Sequence, residues 1–150
     1  MGKVNPLPRV AIRRATFSDS EEFLRLEAKC FGVRFNAITI YYWRPIIDYC
    51  WAFKAVVDQR IVGGTIAMPT RDRRIHLNSL FVDERWRRRG LGAKLLSRVL
   101  GLRASRGFVL DVREDNASLR DYYRKRGFKE VRVEEDYYQD GSARVIMARN

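Results

Sequence analysis

The sequence predicts a mixed α/β (α+β) fold: a single domain over residues 1–150, with four helices and a mostly antiparallel sheet of about seven strands. Three observations support this class. The chain has 150 residues, of which 46% are hydrophobic, which suits one core of ordinary size. Strand-like and helix-like runs alternate in the order β-α-α-β-β-β-α-β-α-β-β. No repeat, low-complexity tract or linker divides the sequence.

The first third of the chain predicts one strand and two helices. The run "VAIRRA" (residues 10–15) reads as a strand. Ser18 and Asp19 are N-cap candidates for a helix whose apolar residues repeat at helical spacing: Phe23, Leu24, Leu26 and Phe31. A second helix is predicted over residues 37–49, interrupted by Pro45.

The remainder predicts a strand meander followed by alternating elements. Strands are expected at residues 51–58, 60–68 and 73–82, separated by turn sequences. An amphipathic helix is expected at residues 90–104, with Leu91, Leu95, Val99 and Leu102 on one stripe. A strand at residues 107–112 and a helix through Lys125, capped by Asn116, come next. Strands at residues 127–135 and 143–149 form the last pair.

The charge of the chain favours anionic partners. Thirty basic residues against 18 acidic ones give a formal net charge of +12, and nearly all of the excess is arginine. Such a charge is compatible with phosphates, nucleic acid or an acidic surface, and it says nothing about the fold.

The two cysteines and the termini suggest a protein of the cytoplasm. Cys30 and Cys50 lie among apolar residues without metal-binding spacing, so we expect buried thiols and no metal site, with a disulfide as the alternative. No run is apolar and long enough for a signal peptide or a membrane span, which predicts a cytoplasmic location and no membrane partner.

One short stretch, "RWRRRGLGAK" (residues 85–94), predicts an anion site. Gly90 and Gly92 fall where a strand and turn lead into a helix, so backbone amides there can approach an anion closely. The helix N-terminus adds partial positive charge, and the adjacent arginines and Lys94 add more. The spacing differs from that of a P-loop and from G-x-G-x-x-G. The alternative to an anion site is an exposed basic turn followed by an ordinary helix.

Two motifs in register resemble the GNAT family of N-acetyltransferases. The spacing R-x-x-G-x-G from Arg87 to Gly92 resembles the family's coenzyme A signature. The stretch "LDVREDNASLRDYYRKRGF" (residues 110–128) resembles the strand, asparagine, helix, tyrosine and closing Gly-Phe of the same family. The predicted element order is also the family's, over nearly the full chain. The resemblance implies the GNAT fold and acetyl-CoA as cofactor, without a metal.

The resemblance is strongest to the protein N-terminal (N-alpha) acetyltransferases, including the ribosomal-protein alanine acetyltransferase group. It implies transfer of an acetyl group to the N-terminal α-amine of a protein or peptide. The implied peptide groove has one wall from the loop between the first two helices and one from the last hairpin: Phe31, Val33, Phe35, Tyr137 and Tyr138. Gly32 in place of a common proline, and "GSAR" in place of an acidic hairpin turn, depart from the family pattern.

The family's cofactor contacts carry over to matching positions of this sequence. In relatives the backbone of the strand before the turn binds the pantetheine arm and the acetyl oxygen. The implied cofactor-binding residues are Leu80, Phe81, Val82, Arg87, Arg88, Arg89, Gly90, Leu91, Gly92, Ala93, Asn116 and Tyr123.

Direct attack of an amine on the acetyl thioester needs a general base, a general acid and carbonyl stabilisation. Tyr123 matches the family's helix tyrosine and is the candidate general acid. The neighbouring Tyr122 is expected to have a packing role only. His76, the one histidine, and Asp111, where relatives have a glutamate or histidine, are the candidate base, acting as a pair through water. Purely structural roles for these side chains are the alternative.

Three rival functions stay open from sequence alone. A GNAT enzyme could act on a small-molecule amine or on protein lysines instead of N-termini. More remotely, the basic run around Trp86 could belong to a nucleic-acid-binding module, although no helix-turn-helix or RNP-type signature supports it. For an enzyme, the same basic surface would suit contact with the ribosome or RNA.

Overall fold

The computed structural model describes residues 8–150. The expected absence of an N-terminal targeting run rests partly on residues 1–7, which lie outside the described residues. The strands are β1 (Ala11–Arg14), β2 (Trp51–Val57), β3 (Arg60–Pro69), β4 (Ile75–Val82), β5 (Phe108–Arg113), β6 (Lys129–Glu134) and β7 (Arg144–Arg149). The helices are α1 (Ser20–Phe31), α2 (Ala37–Tyr49), α3 (Leu91–Leu100) and α4 (Ala117–Arg124).

The seven strands form one sheet in the order β1-β2-β3-β4-β5-β7-β6. The pairs β1–β2, β5–β7 and β6–β7 are antiparallel, and β4–β5 is parallel. The turn between β2 and β3 has two residues, Asp58 and Gln59, both with positive φ, which is the geometry of a tight antiparallel hairpin. The predicted fold class is therefore confirmed.

The chain divides into two compact units. The first contains the described residues up to Ile66 together with Ser79–Gly101, and the second contains Ala67–Asn78 with Leu102–Asn150. In the first unit, Phe23 of α1 meets Phe81 of β4 edge to face, with ring centroids 5.0 Å apart. Gly64 of β3 lies against both rings, and a Cβ there would overlap them, so glycine is needed for this packing.

The core of the second unit contains one face of its strands and the side chains that α4 presents to it. Tyr123 of α4 packs edge to face on Phe128, with centroids 5.6 Å apart. Leu110, Val112 and Met147 are almost completely buried beside them. The opposite face of β5 and β7 is only partly covered, and this open face holds the polar side chains described below.

Three sequence expectations need correction. The helix expected at residues 90–104 ends at Leu100, capped by Gly101, and Leu102 lies beyond it. Helix α2 continues through Pro45, because the carbonyl of Tyr41 that loses its donor belongs to an exposed residue and can bind water.

The third correction concerns the cysteines. Cys30 and Cys50 are free thiols, and both are partly exposed, whereas the sequence predicted buried thiols. The part of each side chain that is buried is enough to raise the pKa of the thiol.

No helix among residues 8–150 combines the length and hydrophobicity that a membrane crossing requires.

Candidate active site

The turn between β4 and α3, in the first unit, leaves a helix N-terminus open. Gly90 is the N-cap of α3 with φ of 76°, in the left-handed region, and no side chain caps the helix. By contrast, Asn36 caps α2 and Asn116 caps α4 through their side chains. A Cβ at Gly90 would meet no atom of residues 8–150 within 4 Å, so nothing among them crowds this glycine. The first amides of α3 are therefore available to an anion.

The three arginines of this turn have different surroundings. The Arg87 Nε donates a hydrogen bond of 3.0 Å to the Val82 carbonyl, which closes the turn onto the end of β4. The Arg89 guanidinium lies 4.8 Å from the Trp86 ring centroid. Arg88 is exposed, with φ of 60°. All three charges stay near the open helix end, and the buried side chain of Leu91 limits that residue to a backbone contact.

Strand β4 alternates as its sequence predicts. Phe81 faces the core, whereas His76, Asn78, Leu80 and Val82 are partly exposed on the other face. The parallel pairing of β4 with β5 ends at Leu77, although β4 itself continues to Val82.

In the second unit, His76 of β4 and Asp111 of β5 are in direct contact. The His76 Nε2 and Asp111 Oδ2 atoms are 2.9 Å apart, and each side chain retains about a quarter of its exposure, 24% and 25%. The two residues predicted as the base therefore meet on the open face of the sheet, through a hydrogen bond rather than at a distance that a water must bridge.

A second cation holds the same carboxylate. The Arg144 Nη1 lies 3.4 Å from Asp111 Oδ2, while Arg144 Nε donates to Glu134 Oε2 at 2.6 Å. Burial raises the pKa of Asp111, but the hydrogen bond from His76 and the charges of His76 and Arg144 outweigh it, so the pKa lies below its ordinary value. Asp111 is consequently ionised near neutral pH.

The ionised carboxylate determines the tautomer of His76. A carboxylate without a proton can only accept hydrogen bonds, so the hydrogen between the two side chains belongs to His76 Nε2. In the neutral ring, Nδ1 then carries the free lone pair. A proton acceptor is thus present at Nδ1, supported by a carboxylate at the other nitrogen, which is the arrangement found in catalytic histidines.

Tyr123 is almost completely buried in the second unit. Burial, and to a smaller extent the neighbouring Tyr122, raise the pKa of its hydroxyl above the ordinary value. The raised pKa keeps the hydroxyl protonated, so it is a hydrogen-bond donor. Asn116 caps α4 as predicted, because its Oδ1 accepts from the Leu119 amide at 3.2 Å.

The open face of the second unit contains a cavity of about 660 Å³. Its lining includes both members of the His76–Asp111 pair, together with Asn78, Tyr137, Arg144 and Ile146. The cavity therefore brings the candidate base and one of the predicted acceptor tyrosines together.

Each of the two tyrosines of the last hairpin packs against an arginine. Tyr137 lies 3.9 Å from Arg144, and Tyr138 lies 4.7 Å from Arg113, measured from guanidinium carbon to ring centroid. The tyrosine rings pack edge to face with centroids 5.1 Å apart. Burial, followed by the charge of Asp111, raises the pKa of the Tyr138 hydroxyl, which keeps it a hydrogen-bond donor.

The other predicted groove residues belong to the first unit. Phe31 and Val33 are 54% and 61% exposed, so neither belongs to the core. Phe35 lies under the Arg25 guanidinium, 4.3 Å from its ring centroid. These side chains form an apolar surface after α1 that is open to solvent.

The family of the chain follows from comparison with known proteins. A model of the acetyltransferase (GNAT) family matches residues 20–128. This chain belongs to the GNAT acetyltransferase family. It is therefore an acyltransferase.

Relatives of this GNAT acetyltransferase share its sequence and fold over most of their length. An N-alpha-acetyltransferase of Sulfurisphaera tokodaii is 30% identical over 132 residues, which cover 85% of this chain and 72% of the relative. The crystal structure of Ard1 from Thermoplasma volcanium has a TM-score of 0.81 at 24% identity, covering 93% of this chain and 96% of that one. The structure of Arabidopsis thaliana NAA60 in complex with acetyl-CoA has a TM-score of 0.78 at 17% identity, covering 93% and 98%.

Two residues of this GNAT site were not predicted from its sequence. Arg144 contacts Asp111, and Glu134 contacts Arg144, only because β6, β7 and β5 are neighbours in a particular register, which pairs Glu134 with Arg144. Alternation along "RVIMAR" does place Arg144 and Ile146 on one face, opposite the buried Val145 and Met147, and this was the available signal. No cluster of candidate metal ligands exists among residues 8–150.

Proposed function

We propose that this GNAT acetyltransferase transfers the acetyl group of acetyl-CoA to the N-terminal α-amine of proteins or peptides. The observation that carries the proposal is the 2.9 Å contact between His76 and Asp111 in the wall of an open cavity that also contains Tyr137. A proton acceptor and an aromatic contact surface are what an extended peptide presenting its amine requires. The relatives named N-alpha-acetyltransferase support the same acceptor.

The phosphate groups of acetyl-CoA fit the uncapped N-terminus of α3. The left-handed Gly90, which no described residue crowds, and the exposed charges of Arg88 and Arg89 suit a multiply charged, bulky anion. When bound, acetyl-CoA supplies the activated acetyl thioester. The backbone of Leu80 to Val82 is proposed to hold the pantetheine arm, as the family resemblance implies, and Gly92 and Ala93 contribute amides of the first helical turn.

His76 Nδ1 is proposed to accept the proton of the acceptor amine, with Asp111 fixing the ring and stabilising the imidazolium that forms. The direct contact of the two side chains leaves one proton acceptor at Nδ1, so a water is needed only between that atom and the amine. An α-amine has a pKa near 8 and a lysine near 10.4, so at pH 7.4 roughly a quarter of the former but only about one in a thousand of the latter is neutral. A modest base therefore suits N-termini better than lysines.

Tyr123 is proposed to supply the proton, or a strong hydrogen bond, to the sulfur that leaves. Its raised pKa keeps the hydroxyl protonated. Because a phenol is a weaker acid than a thiol, stabilisation by a hydrogen bond accompanies or replaces complete transfer. Asn116 keeps its amide NH₂ for the coenzyme while its oxygen caps α4.

Two surfaces are proposed to bind acceptor peptides: the apolar side chains of Phe31, Val33 and Phe35 in the first unit, and the tyrosine pair of the last hairpin in the second. Aromatic and aliphatic surfaces favour a small or apolar first side chain, and the tyrosine hydroxyls suit the peptide backbone. The basic surface near Trp86 would allow contact with RNA or the ribosome, where N-termini emerge in the cytoplasm. A small-molecule amine or a protein lysine is the alternative acceptor.

The cofactor assignment predicts that Gly92→Glu loses coenzyme A binding. A carboxylate in the first turn of α3 would repel phosphates and fill the approach, yet acidic residues are favourable at helix N-termini, so folding should be kept. Calorimetric titration with coenzyme A should show at least a tenfold loss of affinity. Gly101→Ala, at the other end of α3 where φ is −79°, is the control. Unchanged affinity in folded Gly92→Glu would refute the assignment of this turn.

Tyr123→Phe is expected to lower kcat by roughly ten- to a hundredfold, because it removes a proton donor that acts in the transition state. The affinity for acetyl-CoA should change little. Tyr122→Phe removes the neighbouring hydroxyl, whose ring lies 3.5 Å from Arg126, and should behave like the unaltered protein. Steady-state kinetics at saturating acetyl-CoA make the comparison. Equal rates for the two variants would remove Tyr123 from the reaction.

The acceptor is tested with two peptides of one sequence, each with a single internal lysine, one with a free N-terminus and one blocked. We expect only the free peptide to react, with the acetyl group located on the α-amine by fragment mass spectrometry. A panel that varies the first two residues then defines the preference. Equal reaction of the blocked peptide would identify a lysine acetyltransferase, and reaction of neither beside a reactive small amine would favour the small-molecule alternative.

A further inference from the structure

Two arginines stand directly opposite each other on the open face of the second unit. The register of β5 and β7 pairs Arg113 with Arg144, and the register of β6 and β7 pairs Glu134 with Arg144. Like charges opposite each other on neighbouring strands are unfavourable unless each finds its own counter-charge. Each of the two arginines is therefore expected to have a separate set of partners.

The partners are indeed divided between them. Arg113 contacts Asp115 at 3.2 Å and Asp140 at 2.7 Å. Arg144 contacts Glu134 at 2.6 Å and Asp111 at 3.4 Å. Each guanidinium also lies over one tyrosine of the hairpin, Arg113 over Tyr138 and Arg144 over Tyr137. Only Arg144 therefore connects a hairpin tyrosine with the carboxylate that holds His76.

Arg144 has little capacity left for a ligand. Its Nε and Nη1 face carboxylates, one face of its guanidinium lies against the Tyr137 ring, and only 20% of the side chain is exposed. A substrate carboxylate would have to displace Glu134 or Asp111 to reach those donors. Any effect of Arg144 on the reaction must then pass through the residues it already contacts.

We propose that Arg144 is a positioning residue that couples the acceptor-binding ring of Tyr137 to the His76–Asp111 pair, an inference that rests on the proposed function. The flat face of the guanidinium fixes the ring beside the acceptor, and its edge keeps a positive charge at Asp111. One side chain thus aligns the peptide and the base. A lysine could supply the charge but not the planar face or the fork of donors.

Further charged groups surround the His76–Asp111 pair and also influence how the reaction depends on pH. Asp72 and Arg74 line the cavity from the turn before β4, Arg132 from β6, and Tyr137 from the hairpin. Glu134 of β6 pairs with Arg144, and the Tyr138 hydroxyl is close enough to feel the charge of Asp111. Arg74 pairs with Asp72 at 3.0 Å, and Arg132 pairs with Glu134 at 2.6 Å. Arg144 is the arginine among them that contacts Asp111 directly.

The experiment compares Arg144→Gln with Arg144→Lys, using kinetics against pH with the free-N-terminus peptide. Arg144→Gln should raise KM for the peptide about fivefold or more and move the acidic limb of kcat/KM up by about one pH unit, because a cation near the base is lost. Arg144→Lys should restore the limb, since the charge returns, but not KM, since the flat face does not. KM for acetyl-CoA should stay unchanged in both.

Arg124→Gln is the matched control, because it removes an exposed arginine that also pairs with a glutamate of β6, Glu130, but lies outside the lining of the cavity and leaves the contacts of Arg144 intact. This control should leave KM for the peptide unchanged, and it should move the acidic limb of kcat/KM much less than Arg144→Gln does. Wild-type values of KM and of the acidic limb in folded Arg144→Gln would overturn the proposal, as would full rescue of both by lysine. If Arg144→Gln does not fold, the split between KM and pH limb in Arg144→Lys decides alone.

Failure of the proposed function is recognised separately, from the unaltered enzyme. If that enzyme acetylates lysines or small amines instead of N-termini, the same variants are compared with the reactive amine. The shift of the acidic limb is still expected there, and its absence would overturn the role of Arg144 at the base. A raised KM would no longer be expected, because it depends on the peptide.

Discussion

One carboxylate, Asp111, organises the polar face of the second unit. It accepts from His76 Nε2 at 2.9 Å and lies 3.4 Å from Arg144, which is itself held by Glu134 and covered by Tyr137. Were Asp111 neutral, the hydrogen bond to His76 could run in either direction and the free nitrogen of the ring would be undetermined. Because two cationic or donating groups outweigh the cost of its partial burial, Asp111 stays ionised, and Nδ1 is left as the proton acceptor.

This arrangement depends on strand register rather than on neighbours in sequence. His76, Asp111, Glu134 and Arg144 come from four different strands. In β4, β5 and β7 the polar residue points to the open face because the adjacent residues face the core, whereas β6 is exposed almost throughout and its register with β7 places Glu134 opposite Arg144. A shift of one residue in β4, β5 or β7 would turn the polar side chain inward, where an unpaired charge is costly. The buried residues Leu110, Val112, Val145 and Met147 fix that register, so the hydrophobic core of the unit also sets the geometry of the candidate base.

The sequence was sufficient for the order of the elements. Alternation in "RIHLNSLFV" predicts the faces of β4, because that pattern is local. The pairing of Asp111 with His76 is not local, and the family resemblance alone implied it. The sequence could not predict the end of α3, where Leu102 continues the apolar stripe beyond Gly101, since only packing decides whether such a leucine is helical. The role of Arg144 could not be predicted for a related reason. Its partners lie on other strands, and one arginine among 24 is not distinguished by its neighbours in sequence. Gly90 and Gly92 predict an open N-terminus for α3. The contacts of Arg87 with the Val82 carbonyl and of Arg89 with Trp86 depend on how the turn folds, and the sequence does not predict them.

The central claim, that an ionised Asp111 leaves the lone pair on His76 Nδ1, is tested most directly by ¹⁵N NMR of the imidazole. The chain contains one histidine, so ¹⁵N-histidine labelling gives the signals of His76 without assignment. At a pH where the ring is neutral, we expect a protonated Nε2 and an unprotonated Nδ1. In Asp111→Ala the preference should weaken to that of a free histidine side chain, whereas it should be unchanged in Asp72→Ala, which removes another carboxylate of the same cavity. A proton on Nδ1 in the unaltered protein, or an unchanged preference in Asp111→Ala, would contradict the account.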